Sequence, residues 1–361
     1  AQLMNAGTVS ERLFDFCRVL VGRLRGGLAQ VDILVSVIFS GMSGSAIADA
    51  AGPGLVTLKQ MMRQPGYSRG FAGAVVVASA TLGPVIPPSI PMIIYALVSG
   101  ASVGALFIGG LLPGVLMALS MMAVVQFIAV KRDMPREDAI PWREWPAILW
   151  RGALPLTLPV VLLGGIYSGA FTPTEAAVVA AVYALFVAGV VYRELSWKQL
   201  YEVFERAAMT TALVMFLVAA AMVSAWLIAV ANLPAQLVEL LQPLIDKPTM
   251  LMFVIMILCM VVGTAMDMTP TILILTPVLM PIVKAAGIDP VYFGVLFIIN
   301  NSIGLVTPPV GTVLNVVAGV GRMRMDDVTR GVMPFMTVQF IVMFLMVMFP
   351  ALVMVPARWL Y

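Results

Sequence analysis

Two stretches of this chain are apolar enough to cross a membrane, yet carry adjacent prolines where a spanning helix has to be continuous. The first, Gly83–Gly114, reads GPVIPPSIPMIIYALVSGASVGALFIGGLLPG. A shift of 221 positions lays it, without a gap, on GLVTPPVGTVLNVVAGVGRMRMDDVTRGVMPF, Gly304–Phe335. Gly83, Val85, Pro87, Pro88, Gly100, Gly110 and Pro113 recur as Gly304, Val306, Pro308, Pro309, Gly321, Gly331 and Pro334. Irregular backbone at membrane depth survives only where it is buried in protein or lines an aqueous cavity. Paired breaks in corresponding positions of two halves point to the binding site of a repeat-built transporter.

The rest of the composition agrees with a polytopic membrane protein. The hydrophobic fraction is 61% and only 11% of residues are charged, against roughly 25% charge in a soluble domain. Mean hydropathy is +1.03. A net charge of +3 leaves no electrostatic footprint for a nucleic-acid partner. Histidine is absent, which removes the commonest proton shuttle and metal ligand, and Cys17 and Cys259 stand in no ligand spacing. No phosphate loop, nucleotide fingerprint or nucleophile elbow is present, so neither ATP coupling nor an enzymatic role is expected.

The order of segments follows from length and spacing. Residues 8–25 place Leu13, Phe16, Cys17, Leu20 and Leu24 at helical spacing among Arg12, Arg18, Arg23 and Arg25, the pattern of an interfacial arm helix. Residues 28–62 are interrupted by Gly41-Met-Ser-Gly-Ser45, and each arm is only about 15 residues, short of a span. A re-entrant hairpin with its tip at Ser43–Ser45 is predicted; one long Gly-kinked helix is the alternative. A broken crossing at 67–99 and a return at 103–130 complete a first repeat, residues 1–131. Residues 132–361 form the second: crossings at 147–168, 172–193 and 207–231, a surface helix at 233–245, a hairpin at 249–284, a broken helix at 290–320 and a last crossing at 328–355. Its hairpin tip is Gly263–Thr269. Counterparts of the three crossings at 147–231 would fall at negative positions after the same shift, so the symmetry predicts helices ahead of residue 1.

Charge orients the layout. If hairpins do not cross, 18 of the 21 Lys and Arg fall on one side, leaving Lys247, Lys284 and Arg358 on the other. The rich side is assigned to the cytoplasm. Five crossings then separate the two breaks, an odd number, so the copies are inverted. The first hairpin enters from the cytoplasm, the second from outside, and the C-terminus lies outside.

The breaks offer specific chemistry. Proline removes N–H donors and frees carbonyls of the preceding turn, here those of Gly83, Val85, Gly304 and Val306, around Pro87 and its counterpart. Hydroxyls of Ser43, Ser45 and Ser89 in one half, and of Thr264, Thr307 and Thr312 in the other, complete two neutral oxygen cages suited to an alkali cation. Gly263 closes the second tip. The N-terminal ends of the second hairpin arms, after Ser45 and after Thr269, direct partial positive charge inward and suit an anionic substrate. Asp49 and Asp267 sit near the tips, where an ionised carboxylate is costly; capping is favoured for Asp49 and a site-lining role for Asp267. Tyr95 and Asn315 follow the breaks and are candidates to face the substrate. Thr172 and Glu175 have capping-box spacing.

GMSGSAIADAAGPG (41–54), the run from GYSRGFAG to GGLLPG (66–114), GLVTPPVG (304–311) and DDVTRGVMPF (326–335) together resemble the large membrane subunit of TRAP transporters over essentially the whole chain. The resemblance implies an all-α polytopic protein of the bacterial inner membrane, with inverted repeats and two re-entrant hairpins, working by an elevator motion. It implies sodium-driven uptake of an organic acid such as a four-carbon dicarboxylate or sialic acid, with sodium ions as the coupling ions. It also implies a periplasmic substrate-binding protein and a small membrane subunit, separate or fused, as partners. Carried onto this chain, the ion sites involve Ser43, Ser45 and the Gly83–Ser89 break, and Thr264 with the Gly304–Thr312 break. A proton-coupled or stand-alone divalent-anion transporter using Asp49 or Asp267 is the alternative. A membrane scaffold leaves the paired breaks unexplained.

Overall fold

A computed structural model describes residues 9–360 except 135, 137–139, 194, 232–235, 237–238 and 240–241. Every regular element among the described residues is a helix. The surface helix predicted at 233–245 lies largely outside them.

The amphipathic arm is α1 (Val9–Val21), which buries Leu13 and Cys17 completely. The first hairpin rises in α2 (Gly27–Ser43) and returns in two pieces, α3 (Ala46–Ala51) and α4 (Pro53–Arg63). The interruption at Gly52-Pro53 was not predicted; Pro53 lacks an N–H and starts a new helix at its first position. The first broken helix is α5 (Arg69–Ala80) and α6 (Ile90–Ser99). The break therefore starts at Thr81, six residues before Pro87, not at it. Pro84, Pro87 and Pro88 between them leave too few donors to carry the helix on, and Thr81–Ile86 instead form successive tight turns. Ser89 restarts the helix by accepting from Met92 N at 3.2 Å, an N-cap worth about 1 kcal/mol. Then α7 (Val103–Lys131) crosses back.

Three long apolar helices follow: α8 (Trp145–Tyr167), α9 (Pro173–Phe186, extended by a π-turn to Val191) and α10 (Trp197–Val230). The Thr172–Glu175 capping box forms as predicted at the start of α9. Helix α10 starts ten residues earlier than expected, because a second box, Ser196 with Gln199, caps a polar stretch continuous with the apolar one. The second hairpin is α11 (Pro248–Gly263) and α12 (Met268–Ala285), and the second broken helix is α13 (Pro290–Gly304) and α14 (Thr312–Val320). The last crossing is α15 (Met325–Met348), and a kink at Phe349-Pro350 turns the chain into α16 (Ala351–Ala357), where one helix to 355 was expected. Six helices among the described residues are long and apolar enough to span a bilayer: α7, α8, α9 with its π-turn, α10, α12 and α15. At 17 and 16 residues, α2 and α11 are too short.

Packing interlocks the two copies. Helix α3 of the first hairpin lies on α14 of the second broken helix, and α12 of the second hairpin lies on α6 of the first. Helices α5 and α15 pack along each other, and α7 packs on α13, α15 and α16. Between the copies, Thr81 and Ser302, which are 221 positions apart, meet directly: Ser302 Oγ donates to the Thr81 carbonyl at 2.5 Å. Contact between equivalent residues is what a two-fold relation places on its axis. Gln339, fully buried, donates from Nε2 to Thr81 Oγ1 at 2.8 Å and reaches the Ala78 carbonyl at 3.3 Å.

The arm α1 touches both hairpin one, through α2 and α4, and helix α8. Its Arg12 guanidinium lies 3.6 Å from the ring centroid of Tyr192 at the end of α9, a cation–π contact. Helices α8–α10 leave broad apolar faces open, with Trp150, Val160, Leu213 and Phe216 among the exposed side chains.

Candidate functional site

At the first site the hairpin tip and the break meet backbone to backbone. The tip is only two residues, Gly44 and Ser45. Gly44 takes φ +61°, a left-handed conformation, and a Cβ there would lie 2.6 Å from the Pro88 carbonyl oxygen. A Cβ on Gly83 would lie 2.8 Å from both the Ser45 carbonyl carbon and the Ala46 nitrogen. Only glycine fits at either position.

This contact gathers the predicted oxygens of the first repeat. Ser43 is 7% exposed and its hydroxyl has no hydrogen-bond partner among the described residues. Ser45 N-caps α3 by accepting from Ala48 N at 3.4 Å. No hydrogen bond reaches the carbonyls of Gly83 or Val85 among the described residues. Ser89 Oγ is committed locally, donating to the Pro84 carbonyl at 2.5 Å. Leaving a buried hydroxyl and two buried carbonyls without donors costs free energy unless something supplies positive charge. These are hard, neutral oxygens, and they suit an alkali cation.

The second site repeats the plan with different side chains. A Cβ on Gly304, the counterpart of Gly83, would lie 2.9 Å from the Gly263 carbonyl oxygen. The tip carbonyl of Thr264 accepts from Val310 N at 3.4 Å, which joins hairpin and break directly. Asp267 is the N-cap residue of α12, but its carboxylate does not cap; it accepts from Thr312 Oγ1 at 3.2 Å. That bond ties the hairpin tip to the start of α14. Thr264 and Thr307 hydroxyls donate back to Val261 and Ile303 carbonyls at 2.8 and 2.7 Å. Among the described residues the Val306 carbonyl accepts no bond, whereas that of Gly304 accepts from Thr307 N. Both proline pairs, Pro87-Pro88 and Pro308-Pro309, are cis.

Several expectations shift on this geometry. Ser45, not Asp49, caps the second arm of hairpin one. Asp49 is 1% exposed in α3, with Ser36 and Asp32 of α2 as its polar neighbours. The structural counterpart of Asp267 is Ser45, since each is the N-cap of its hairpin's second arm. Helix α3 has only six residues, so the dipole expected after Ser45 is short. Tyr95 is fully buried, with its hydroxyl donating to the Pro290 carbonyl at 2.7 Å and its ring against Phe293 and Phe297. It clamps α6 to α13 and does not face the tip. Asn315 is exposed, and its amide donates to the Val310 carbonyl at 2.5 Å. Thr269 is half-buried near the start of α12.

Sequence reasoning passed over Asp32, which is 1% exposed in α2. Its carboxylate accepts from Thr57 Oγ1 in α4 and from Ser79 Oγ in α5, the latter at 2.7 Å. The available signal was an acid inside an apolar membrane segment, a functional candidate by default. Asn300, equivalent to Ser79 under the shift of 221, donates instead to the Met256 carbonyl of α11 at 2.7 Å.

Comparison with known proteins agrees with this architecture. Residues 1–352 match the family described as "Tripartite ATP-independent periplasmic transporter, DctM component". The chain is 48% identical over 360 residues to the 2,3-diketo-L-gulonate TRAP transporter large permease protein of Escherichia coli, covering 99% of this chain and 84% of that one. It is 42% identical over 348 residues to the sialic acid TRAP transporter large permease protein of Vibrio cholerae, covering 96% and 81%. To the C4-dicarboxylate TRAP transporter large permease protein of Pseudomonas aeruginosa it is 38% identical over 357 residues, covering 99% and 83%. With a family match over nearly its whole length and relatives well above 30% identity, the chain belongs to the large permease family of TRAP transporters, a family of membrane transport proteins and not of enzymes.

Proposed function

We propose that this chain is the membrane-crossing engine of a sodium-coupled importer of an organic acid, delivered by a periplasmic substrate-binding protein. The observation that carries this reading is the orphaned oxygen set at the first tip: the Ser43 hydroxyl with the Gly83 and Val85 carbonyls. At the other tip only the Val306 carbonyl is left without a donor among the described residues, and Thr264 and Asp267, each already bonded, stand beside it as further oxygens. Each site takes one coupling ion, and the substrate's carboxylate binds between the two, close to both positive charges. The relatives named for 2,3-diketo-L-gulonate, sialic acid and C4-dicarboxylates support an organic acid as cargo.

The interlocked hairpins and broken helices form one mobile body. Helices α8–α10 form the static wall, and the arm α1, which touches both, carries the sliding contact of an elevator. The open apolar faces of α8–α10 meet lipid and a small membrane subunit. The excess of Lys and Arg supports an orientation in which the first hairpin enters from the cytoplasm and the C-terminus lies in the periplasm.

The test is uptake by the complete complex in proteoliposomes, with a loaded binding protein outside. An inward sodium gradient drives accumulation, whereas equal accumulation with potassium in place of sodium overturns the coupling. Asp49, buried beside Asp32 with no Lys or Arg paired to it among the described residues, is the observation that favours a second reading, proton coupling. Accumulation that follows a pH gradient without sodium selects it.

A further inference from the structure

Hairpin one contains a buried carboxylate that the ion-site reading does not use. Asp32, Thr57 and Ser79 are each at most 1% exposed. Asp32 lies in α2, 11 residues before Ser43, or roughly 16 Å down the helix from the tip. No Lys or Arg is paired with it among the described residues. Its two oxygens are instead held by two hydroxyls from two other helices, Thr57 of α4 and Ser79 of α5.

Two of those three helices end at the first site, and the third continues an arm that starts there. Helix α2 ends at Ser43, α4 continues the arm that Ser45 begins, and α5 ends one residue before the break that runs to Ser89. The tip and the break touch with no room for a methyl group at Gly83 or Gly44. A slip of the hairpin along α5 would close or open that contact directly. A carboxylate that accepts one bond from each neighbour fixes the register of both, because charge-assisted bonds are stronger and more directional than neutral ones. Each hydroxyl also has a backbone carbonyl in reach, Gly54 for Thr57 at 3.0 Å and Val76 for Ser79 at 3.1 Å. Only the carboxylate draws the two hydroxyls across the helix interfaces. The second repeat has Phe253 at the equivalent position and uses Asn300 on a backbone carbonyl instead.

We propose that Asp32, with Thr57 and Ser79, is the positioning residue of the first cation site: it holds Ser43 and the Gly83–Val85 carbonyls at the spacing that binds the ion. The proposal rests on the sodium-coupled reading above. Its test is a sodium titration of uptake by the complete complex at saturating substrate, with rates normalised to transporter in the membrane. Asp32→Ala raises the sodium concentration for half-maximal uptake by about tenfold, the loss of one to two bonds to a charged group, while the maximal rate stays within about twofold. Ser79→Ala and Thr57→Val give smaller shifts in the same direction and carry the test if Asp32→Ala does not insert. Ser79→Thr, which keeps the hydroxyl, titrates like wild type. Superimposable titrations for Ser79→Ala, Thr57→Val and wild type overturn the proposal, as does a loss of maximal rate at unchanged sodium affinity. Wild-type uptake that ignores sodium instead overturns the coupling reading itself.

Discussion

The two hairpin tips solve one problem with different parts. The first turns in two residues on a left-handed Gly44 and places a neutral serine at the N-cap of its returning arm. The second turns in four residues, Thr264 to Asp267, needs no left-handed residue, and places a carboxylate at the N-cap. In both, a glycine of the break, Gly83 or Gly304, lies against the tip backbone. What the copies share is the close approach of two backbones. What differs is charge: the second tip carries Asp267 at the site itself, while the first keeps its acids, Asp32 and Asp49, behind the tip. On the sodium-coupled reading proposed above, this difference in charge makes the second site the tighter of the two.

Glycine substitutions separate the tips most sharply. Gly44→Ala forces a methyl group at φ +61° to within 2.6 Å of a carbonyl oxygen. A displacement of ~1 Å at a site where geometry decides costs on the order of 100-fold in rate, so uptake falls to background. Gly263→Ala meets nothing closer than 3.6 Å and leaves uptake near wild type. Equal damage from both would break the distinction between a tight and an open tip.

Removing single ligands sharpens it further. Ser43→Ala and Asp267→Asn each raise the sodium requirement, the second more, by roughly tenfold, because it removes a charge that also holds Thr312. A larger shift from Ser43→Ala reverses the ranking of the two sites. Where the copies meet, Gln339→Leu leaves Thr81 Oγ1 without its amide donor and costs about 1–3 kcal/mol of stability, read by thermal unfolding, with no change in sodium dependence. The smallest effect belongs to α9, assigned above to the proposed static wall: Thr172→Ala undoes its capping box at a cost of about 1 kcal/mol. The sodium titration of that variant overlays wild type; a shift would place α9 inside the moving body.

Most of the architecture was legible because membrane physics leaves few choices. Arms too short to span and prolines at membrane depth have one economical explanation, and the shift of 221 positions marks both copies. The capping box at Thr172 was equally readable, since it depends on residues three apart. Features that depend on unequal spacing were not. The second tip is longer than the first, so the shift pairs Asp267 with Ala46 and conceals its kinship with Ser45. The swapped packing of α3 on α14 and α12 on α6 joins residues more than 170 positions apart, with no local pattern to announce it. Tyr95 reads as a polar residue just past a break; only the packing of Phe293, Phe297 and the Pro290 carbonyl around it shows an interior clamp. Asp32 was hidden by its neighbours, since one acid in GLAQVDILVSVIF barely alters an apolar arm whose partners, Thr57 and Ser79, come from elsewhere.

The account stands or falls on both tip–break contacts binding sodium. Its most direct measurement is the unfolding temperature of the purified complex in sodium against choline, without substrate, for wild type, Ser43→Ala, Asp267→Ala and the double variant. A bound ion stabilises the folded state in proportion to its occupancy. The account predicts a sodium-dependent rise for wild type, a partial rise for each single variant and none for the double. A full rise in the double variant would contradict it.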